Sequence, residues 1–207
     1  ANYEITYFDG TLTVEQEAAA VVWKQPDPIT YGTLLGQDQL NTTSEIDGVF
    51  VYSPTGGELL PAGKHPLKVT FVPDDLEQYD TAKAEAELTV NKAPLTVTAV
   101  DASRAYGEAN PEFELVYDGF VNDEDASVLT TPVSVFIPPV IGPGTYPIIL
   151  SGGEAANYEI TLVNGTLSVE KKETVVTWAT PDPITYGTPI GPKQLNAKTD
   201  VEGFFVY

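Results

Sequence analysis

Two short acidic clusters are the segments of this sequence most suited to chemistry. Their oxygen-bearing side chains lie in predicted loops and are of the kind that a hard cation such as calcium prefers: Asp74, Asp75, Glu77 and Asp80 in the first, and Asn122, Asp123 and Asp125 in the second. Neither cluster follows the spacing of an EF-hand loop. Solvated turn residues that cap a short helical turn explain the same composition. Calcium is therefore one hypothesis for these residues, and no other cofactor is expected.

Catalysis finds little support in the residue types. His65 is the only histidine, the chain has no cysteine, and no nucleophile elbow of the G-x-S-x-G type is present. Carboxylate pairs suitable for acid–base work arise by chance among thirty Asp and Glu residues, but they are spread over the chain without a recognisable cleft. We expect a surface role for His65 and no enzymatic activity.

Aromatic residues offer a second kind of site. Trp23 and Trp178 occupy equivalent places, and exposed aromatic rings such as those of Tyr52 and Tyr117 could stack against a carbohydrate or a partner. In a small β-domain, however, a tryptophan more often packs in the core or at a junction between modules. Both interpretations stay open at this point.

Charge and hydropathy exclude several classes of partner. A formal net charge of −20 opposes binding to nucleic acid and to anionic lipid. The sequence contains no apolar stretch of the roughly 20 residues that a membrane-spanning helix needs. With 42% hydrophobic residues, the chain has enough apolar material for packed cores.

An internal repeat is the strongest signal. Residues 1–52 align with residues 156–207 without a gap and share 29 identities in 52 positions. A weaker period lies inside this one, because Tyr31-Gly32, Tyr106-Gly107 and Tyr186-Gly187 recur at similar spacing. The repeats predict two alternating modules, at 17–92 and 93–170. Residues 1–16 are then the closing hairpin of a preceding module, and residues 171–207 the first half of a following one.

Each module is predicted to be all-β. Apolar side chains alternate with polar ones from Ala82 to Val90, and the same period of two appears in segments 67–71, 95–99 and 158–162. Asn164-Gly165 and the equivalent Asp9-Gly10 predict two-residue hairpins. Short strands at this spacing, separated by Gly and Pro turns, favour small immunoglobulin-like sandwiches. Tyr79 and Tyr158, each four residues after an acidic residue, are candidates for the tyrosine corner of such a fold, and the alternative is that both are simply inward-facing aromatic residues.

Two family resemblances follow from the motifs. The module at 17–92 resembles group-3-type bacterial Ig-like repeats, through 21–23, 28–33, 39–41, 50–52, 62–63 and 67–71. The module at 93–170 is similar to the MBG domain of YGX type, through 103–111, 119–123, 144–148 and 157–158. The resemblance implies tandem arrays in large extracellular surface proteins and adhesins of bacteria.

The junctions between the predicted modules are short, and this bears on the function that we expect. Segments 90–94 and 169–173 contain no glycine and are only a few residues long, so they should be stiffer than a Gly/Ser linker. We expect an elongated rod whose partners are the neighbouring repeats, acting as a stalk that projects a distal binding region from the cell surface. The alternative is that the modules themselves bind an extracellular glycan or surface polymer.

Overall fold

The computed structural model of the chain describes residues 2–207 and is all-β. The strands of the predicted first module are β1 (Glu17–Ala18), β2 (Val21–Val22), β3 (Ile29–Thr30), β4 (Thr43–Ser44), β5 (Gly48–Ser53), β6 (Gly63–Pro73), β7 (Tyr79–Asp80) and β8 (Ala82–Asn91). Those of the second are β9 (Ala93–Ala99), β10 (Ala102–Ala105), β11 (Leu115–Asp118), β12 (Leu129–Phe136), β13 (Gly144–Ala155), β14 (Tyr158–Val163) and β15 (Gly165–Glu170). Two further strands, β16 (Val176–Thr177) and β17 (Lys198–Thr199), follow. The only helical turn described within 2–207 is the 3-10 helix Ala126–Val128.

The largest sheet of the first predicted module has the order β3-β8-β6-β5. Strands β6 and β8 form a long antiparallel pair, from Gly63 opposite Val90 to Phe71 opposite Ala82. Strand β3 runs parallel to the end of β8. Two smaller sheets, β1-β7 and β2-β4, complete this part of the chain.

The second predicted module contains two sheets, with the orders β10-β15-β13-β12 and β11-β9-β14. In the first of them, β15 lies between a parallel neighbour, β10, and an antiparallel one, β13. In the other sheet, β9 and β14 run parallel, with Tyr158 opposite Ala93. Several sheets with short connections are consistent with the sandwich expectation.

The alternating pattern is confirmed by burial. Leu67, Val69 and Phe71 of β6 are buried, while Lys68 between them is exposed. Strand β8 alternates in the same way up to Leu88 and Val90. In the second predicted module, β9 buries Leu95, Val97 and Ala99. Removal of these apolar side chains from water is the main stabilising contribution to the fold.

The predicted hairpin at Asn164-Gly165 is wrong. Strands β14 and β15 do not pair with each other, because β14 belongs to the β11-β9-β14 sheet and β15 to the four-stranded one. Neither residue has the positive φ that a two-residue hairpin turn requires. Gly165 serves a different purpose, since a Cβ at this position would lie 2.5 Å from the Ala99 carbonyl oxygen. The pair therefore marks the point at which the chain passes from one sheet to the other.

The hairpin predicted around Asp9-Gly10 is also absent, because residues 2–16 carry no strand. In the second copy, the equivalent residues pair with β9, β10 and β13 of their own module. Within residues 2–16 the apolar side chains of the first copy, including Tyr3, Phe8 and Leu12, are exposed.

Two compact units are distinguished by their internal contacts. The first contains the residues up to Thr98, together with Val116–Ser134 and Leu150–Val163, and its buried side chains include Phe71, Leu88 and Tyr158. The second contains Ala99–Leu115, Val135–Ile149 and Asn164–Tyr207, and buries Ile148 and Leu167. Residues on both sides of the predicted module boundary at 92 and 93 belong to the first unit. The module boundaries themselves stay predictions.

Candidate functional site: a tyrosine and carboxylate cluster

Tyr31 begins the cluster, at the turn that follows β3. Its backbone N–H donates to the Asn91 carbonyl at 2.8 Å, which holds the turn against the end of β8. Gly32 has φ of +99°, and a Cβ there would lie 2.9 Å from a methyl group of Val121. Glycine is therefore needed at this position for both its backbone conformation and its size. The turn buries the Tyr31 ring, which is 7% exposed.

Glu124 supplies the hydrogen-bond acceptor of the cluster. Asn122 and Asp123 both have positive φ, and the turn closes with the Glu124 N–H donating to the Val121 carbonyl. This turn directs the Glu124 carboxylate at two phenols. The Tyr31 hydroxyl donates to one oxygen at 2.6 Å, and the Tyr158 hydroxyl donates to the other.

Tyr158, the first residue of β14, completes the cluster. Its ring meets the Tyr31 ring edge-on with 5.7 Å between centroids, and the Phe120 ring at 5.5 Å. Its hydroxyl also accepts from the Val121 N–H at 3.1 Å. All of these residues lie in the first compact unit.

The electrostatics keep both phenols protonated. Burial, followed by the hydrogen bond to Glu124, raises the pKa of Tyr158 to about 12. For Tyr31 the hydrogen bond to Glu124 is the larger cause, and burial adds to it in raising the pKa. Two neutral donors on one carboxylate form a charge-assisted network. Such a network is suited to holding segments together, since each of its hydroxyl protons is already bound by an acceptor.

Further hydrogen bonds join the same two predicted modules. The Asn157 side-chain oxygen accepts from the Ala62 N–H at 3.0 Å, and the Lys92 ammonium donates to the Ala155 carbonyl at 3.1 Å. Within the second module, the Asn157 carbonyl accepts from the Ala93 N–H at 2.9 Å. An open cleft of about 890 Å³ lies beside these bonds, lined by residues that include Lys92, Thr130 and Glu154.

The part of the chain that contributes Glu124 and Tyr158 has a known sequence family. Residues 95–168 match the model of the MBG domain of YGX type. The matched residues, called the MBG segment below, fall inside the predicted second module and confirm the resemblance of that module. No curated protein matches the chain.

The YGX-type turn of the MBG segment differs from its counterpart at Tyr31. Gly107 has φ of +86°, as expected for a glycine in such a turn, and Gly187 has φ of +88°. Tyr106, however, is 43% exposed, and Tyr186 is fully exposed. The unusual backbone conformation of the glycine is thus found at all three positions. The Tyr-Gly pair also predicts a buried ring before the glycine, and this prediction is wrong at Tyr106 and Tyr186, since only the Tyr31 ring is buried among the three.

The first acidic cluster lies outside the MBG segment and forms a capped turn. The Asp75 carboxylate accepts from the N–H groups of Glu77 and Gln78, both at 3.0 Å. The other members are exposed: Asp74, Glu77 and Asp80. Asp75 thus has the role of a turn cap.

The second acidic cluster lies in the MBG segment, and its members have two different structural roles. Asn122 and Asp123 supply the left-handed turn described above. Asp125 caps the 3-10 helix by accepting from the Ser127 N–H at 2.8 Å, and hydrogen bonding to Ser127 lowers the pKa of Asp125. Within residues 2–207 no three Asp, Glu or His side chains are grouped so that they could hold a metal ion. Calcium at either cluster stays a prediction.

The predicted tyrosine corner is absent at both Tyr79 and Tyr158. The Tyr79 hydroxyl accepts from the neighbouring Gln78 side chain at 3.0 Å. The Tyr158 hydroxyl contacts Val121 and Glu124 and so reaches back by more than thirty residues. The acidic residue before it, Glu154, accepts from the Thr131 hydroxyl instead. Spacing alone suggested a local contact, whereas the turn at Asn122 and Asp123 provides nearer partners.

Both tryptophans occupy the same local structure. Trp23 donates through Nε1 to the Gln39 carbonyl at 3.0 Å, and Trp178 donates to the Gln194 carbonyl at 2.9 Å. Trp23 is half-buried and meets the Tyr52 ring edge-on, which agrees with the packing interpretation. His65 contacts the Pro61 carbonyl at 2.8 Å. The sequence did not single out Glu124, although it stands beside three predicted ligands, because its partners are 93 and 34 residues away.

Proposed function

We propose that this chain is a non-enzymatic spacer from a bacterial cell-surface protein, in which consecutive modules are joined by stiff junctions. MBG domains occur in bacterial surface proteins, and the MBG segment supports this placement. No helix in residues 2–207 is long and apolar enough to cross a membrane. The finer proposal is a stalk of a large extracellular adhesin, in which neighbouring repeats are the main partners.

The single observation that carries the proposal is the Glu124 cluster. It ties Tyr31 of the first predicted module to Tyr158 of the second through one carboxylate. A buried, charge-assisted network has fewer alternative geometries than a surface contact, because each bond broken leaves a polar group without a partner. The cluster is therefore expected to oppose bending at this junction.

The connection between the modules supports the same conclusion. Strand β8 ends at Asn91 and β9 begins at Ala93, so that Lys92 is the one residue between them. Lys92 is itself held by its bond to Ala155. A connection of this length has few rotatable bonds, unlike a flexible linker of many residues.

The first module is proposed to be an Ig-like repeat of the group-3 type, on the motifs quoted above and on the sheets formed by β1 to β8. Alternation of two module types would then give a rod. Its acidity, with a net charge of −20, keeps neighbouring chains apart and disfavours nucleic acid as a partner.

Small-angle X-ray scattering of the full chain tests the stalk. A compact domain of 207 residues has a radius of gyration of about 17 Å. We expect a clearly larger value and a long maximum dimension for the wild type. The variant Glu124→Ala should broaden the distance distribution, while Glu112→Ala, an exposed residue of the same MBG segment, should not. A radius of gyration near that of a compact globule would refute the spacer.

A further inference from the structure

The end of strand β15 in the second predicted module repeats the structure at the end of strand β8 in the first. Strand β10 runs parallel to β15 as β3 runs parallel to β8, and a Tyr-Gly turn directly follows each of these outer strands. The Tyr106 N–H donates to the Glu170 carbonyl at 2.8 Å, which is the bond that the Tyr31 N–H makes to Asn91. The two turns therefore hold their tyrosines at equivalent places.

The two tyrosines differ in what covers them. Tyr31 is 7% exposed, because its hydroxyl donates to Glu124 and its ring packs edge-on against Tyr158. Tyr106 is 43% exposed, and within residues 2–207 its hydroxyl has no hydrogen-bond partner and its ring has no aromatic neighbour. The second turn is thus formed like the first but lacks the side chains that cover it.

The surroundings of the two turns differ in the same way. A Cβ at Gly32 would lie 2.9 Å from a Val121 methyl group, whereas a Cβ at Gly107 meets nothing within 4 Å. Lys92, directly after β8, donates to a backbone carbonyl at 3.1 Å. The ammonium of Lys171, directly after β15, has no acceptor in the described part of the chain. We call Tyr106, Gly107 and Lys171 the Tyr106 surface.

A partner for this surface should resemble the residues that cover Tyr31. Tyr79 has the place in the first predicted module that Tyr158 has in the second, since each is the first residue of its strand. Tyr79 lies opposite Glu17 on a parallel strand, and Tyr158 lies opposite Ala93 in the same way. The N–H groups of Glu17 and Ala93 donate to the carbonyl just before each tyrosine, at 2.8 and 2.9 Å.

The face around Tyr79 also complements the Tyr106 surface in charge and polarity. Its exposed carboxylates can accept from the Tyr106 hydroxyl, as Glu124 accepts from Tyr31, and can pair with the Lys171 ammonium. Leu76, on the same turn, is 52% exposed and offers apolar area. We call this set the Tyr79 face, and its members are Asp74, Leu76, Glu77, Gln78, Tyr79 and Asp80.

We propose that the Tyr106 surface docks against the Tyr79 face of a second copy of this chain. The Tyr106 hydroxyl donates to a carboxylate of that face, and its ring meets the Tyr79 ring. Because the two surfaces are unlike, the pairing is head-to-tail and leaves one surface of each kind free for a further copy. The net charge of −20 on each copy opposes the contact, so the affinity is weak. The inference rests on the spacer proposal, since it extends contact between modules from one copy to the next.

The test uses two variants that each keep one of the two surfaces. Tyr106→Ala removes the docking ring and keeps the Tyr79 face, and Tyr79→Ala does the reverse. In sedimentation equilibrium of the full chain at near-millimolar concentration, we expect the wild type to associate. Each variant alone should associate about tenfold more weakly or not at all, because a tyrosine is lost from the centre of the contact. An equimolar mixture of the two variants should form a dimer, since each supplies the surface that the other lacks.

A second measurement locates the contact and needs only the exposed substitution. When ¹⁵N-labelled Tyr106→Ala is titrated with unlabelled wild type, the amide resonances of Leu76, Gln78 and Tyr79 should shift. Tyr186→Ala is the matched control, because Tyr186 precedes a glycine of the same kind, is fully exposed and belongs to neither surface. This variant should associate like the wild type, and thermal unfolding checks that every variant is folded.

Three results would each overturn the proposal. The wild type could stay monomeric, Tyr106→Ala could associate as tightly as the wild type, or the shifted resonances could lie in residues 2–16 or 171–207 instead of the Tyr79 face. The last result would assign association to the exposed apolar side chains of those segments. The spacer depends on the shape of the single chain at low concentration, so the scattering experiment can succeed or fail whatever the association experiment shows.

Discussion

Tyr31 and Glu124 are 93 residues apart in the chain, and the Tyr31 hydroxyl donates to the Glu124 carboxylate at 2.6 Å. The second oxygen of the same carboxylate accepts from Tyr158. One acidic side chain in a short turn thus connects residues of two predicted modules. Substitution of Glu124 is therefore the most direct test of the spacer proposal.

Removal of the carboxylate should destabilise the protein. Glu124→Ala leaves the Tyr31 hydroxyl without its acceptor and weakens the bonding of Tyr158, at a cost of about 2–3 kcal/mol in the free energy of unfolding. Glu124→Gln keeps one acceptor oxygen and should cost less. Urea unfolding followed by circular dichroism measures both. The exposed Glu112→Ala should change the free energy by less than about 0.5 kcal/mol, and an equal loss for Glu112 and Glu124 would contradict a specific role.

Alkaline pH should weaken the fold through Tyr158. Its pKa is about 12 in the folded protein, against an ordinary value of 10.0 that applies to the unfolded chain. Below pH 10 the stabilisation is fully present, because both states hold the proton. As the pH rises from about 10 to about 12, only the unfolded state releases it, and about 2–3 kcal/mol is lost.

Urea unfolding between pH 8 and pH 11.5 checks this dependence. The variant Tyr158→Phe is less stable at neutral pH but should lose less stability over the alkaline range than the wild type. Tyr186→Phe serves as the control, since Tyr186 is fully exposed. Identical pH profiles for the wild type and Tyr158→Phe would show that this phenol does not titrate as proposed.

Gly165→Ala should disturb the crossing between the two sheets. The added methyl group would lie 2.5 Å from the Ala99 carbonyl oxygen, a distance that forces the backbone to move. We expect a loss of about 1–3 kcal/mol. Gly10→Ala is the equivalent substitution in the first copy, where a Cβ meets nothing within 4 Å. Thermal unfolding of both variants should show a lower melting temperature for Gly165→Ala only, and comparable shifts would argue against the close approach.

Asp75 and Asp125 allow the turn-cap and calcium hypotheses to be separated. Their carboxylates accept backbone N–H groups, and this capping requires no metal. We therefore expect Asp75→Ala and Asp125→Ala to lower the melting temperature equally in calcium and in chelator. A wild-type melting temperature that falls on chelation, and no longer does so in either variant, would instead establish a calcium site.

Much of the fold could be predicted because it depends on local patterns. The alternation in 82–90 and 67–71 specifies which face of β8 and β6 is buried, since side chains on a strand alternate between its two faces. The positive φ of Gly32, Gly107 and Gly187 follows from the turn chemistry of Tyr-Gly. The MBG resemblance of the second module rested on motifs of the same local kind.

The candidate site could be predicted only in part. Asn122, Asp123 and Asp125 stand out in the sequence as oxygen-bearing side chains, but nothing in the sequence distinguishes Glu124, the residue with the long-range contacts. The composition of Asn164-Gly165 predicts a hairpin. In the structure the backbone there follows the pairing of β14 with β9 and of β15 with β13.

The sequence by itself determined the all-β class, the buried faces of the strands and the glycine turns, because each of these depends on residues that are neighbours in the chain. It also determined the repeat, because the two copies can be compared residue by residue. The tertiary structure decided which strands share a sheet and which side chains meet Glu124, because these contacts join residues that lie tens of positions apart. Strand alternation specifies a face but not a partner, and the partner is selected by the packing of the whole domain.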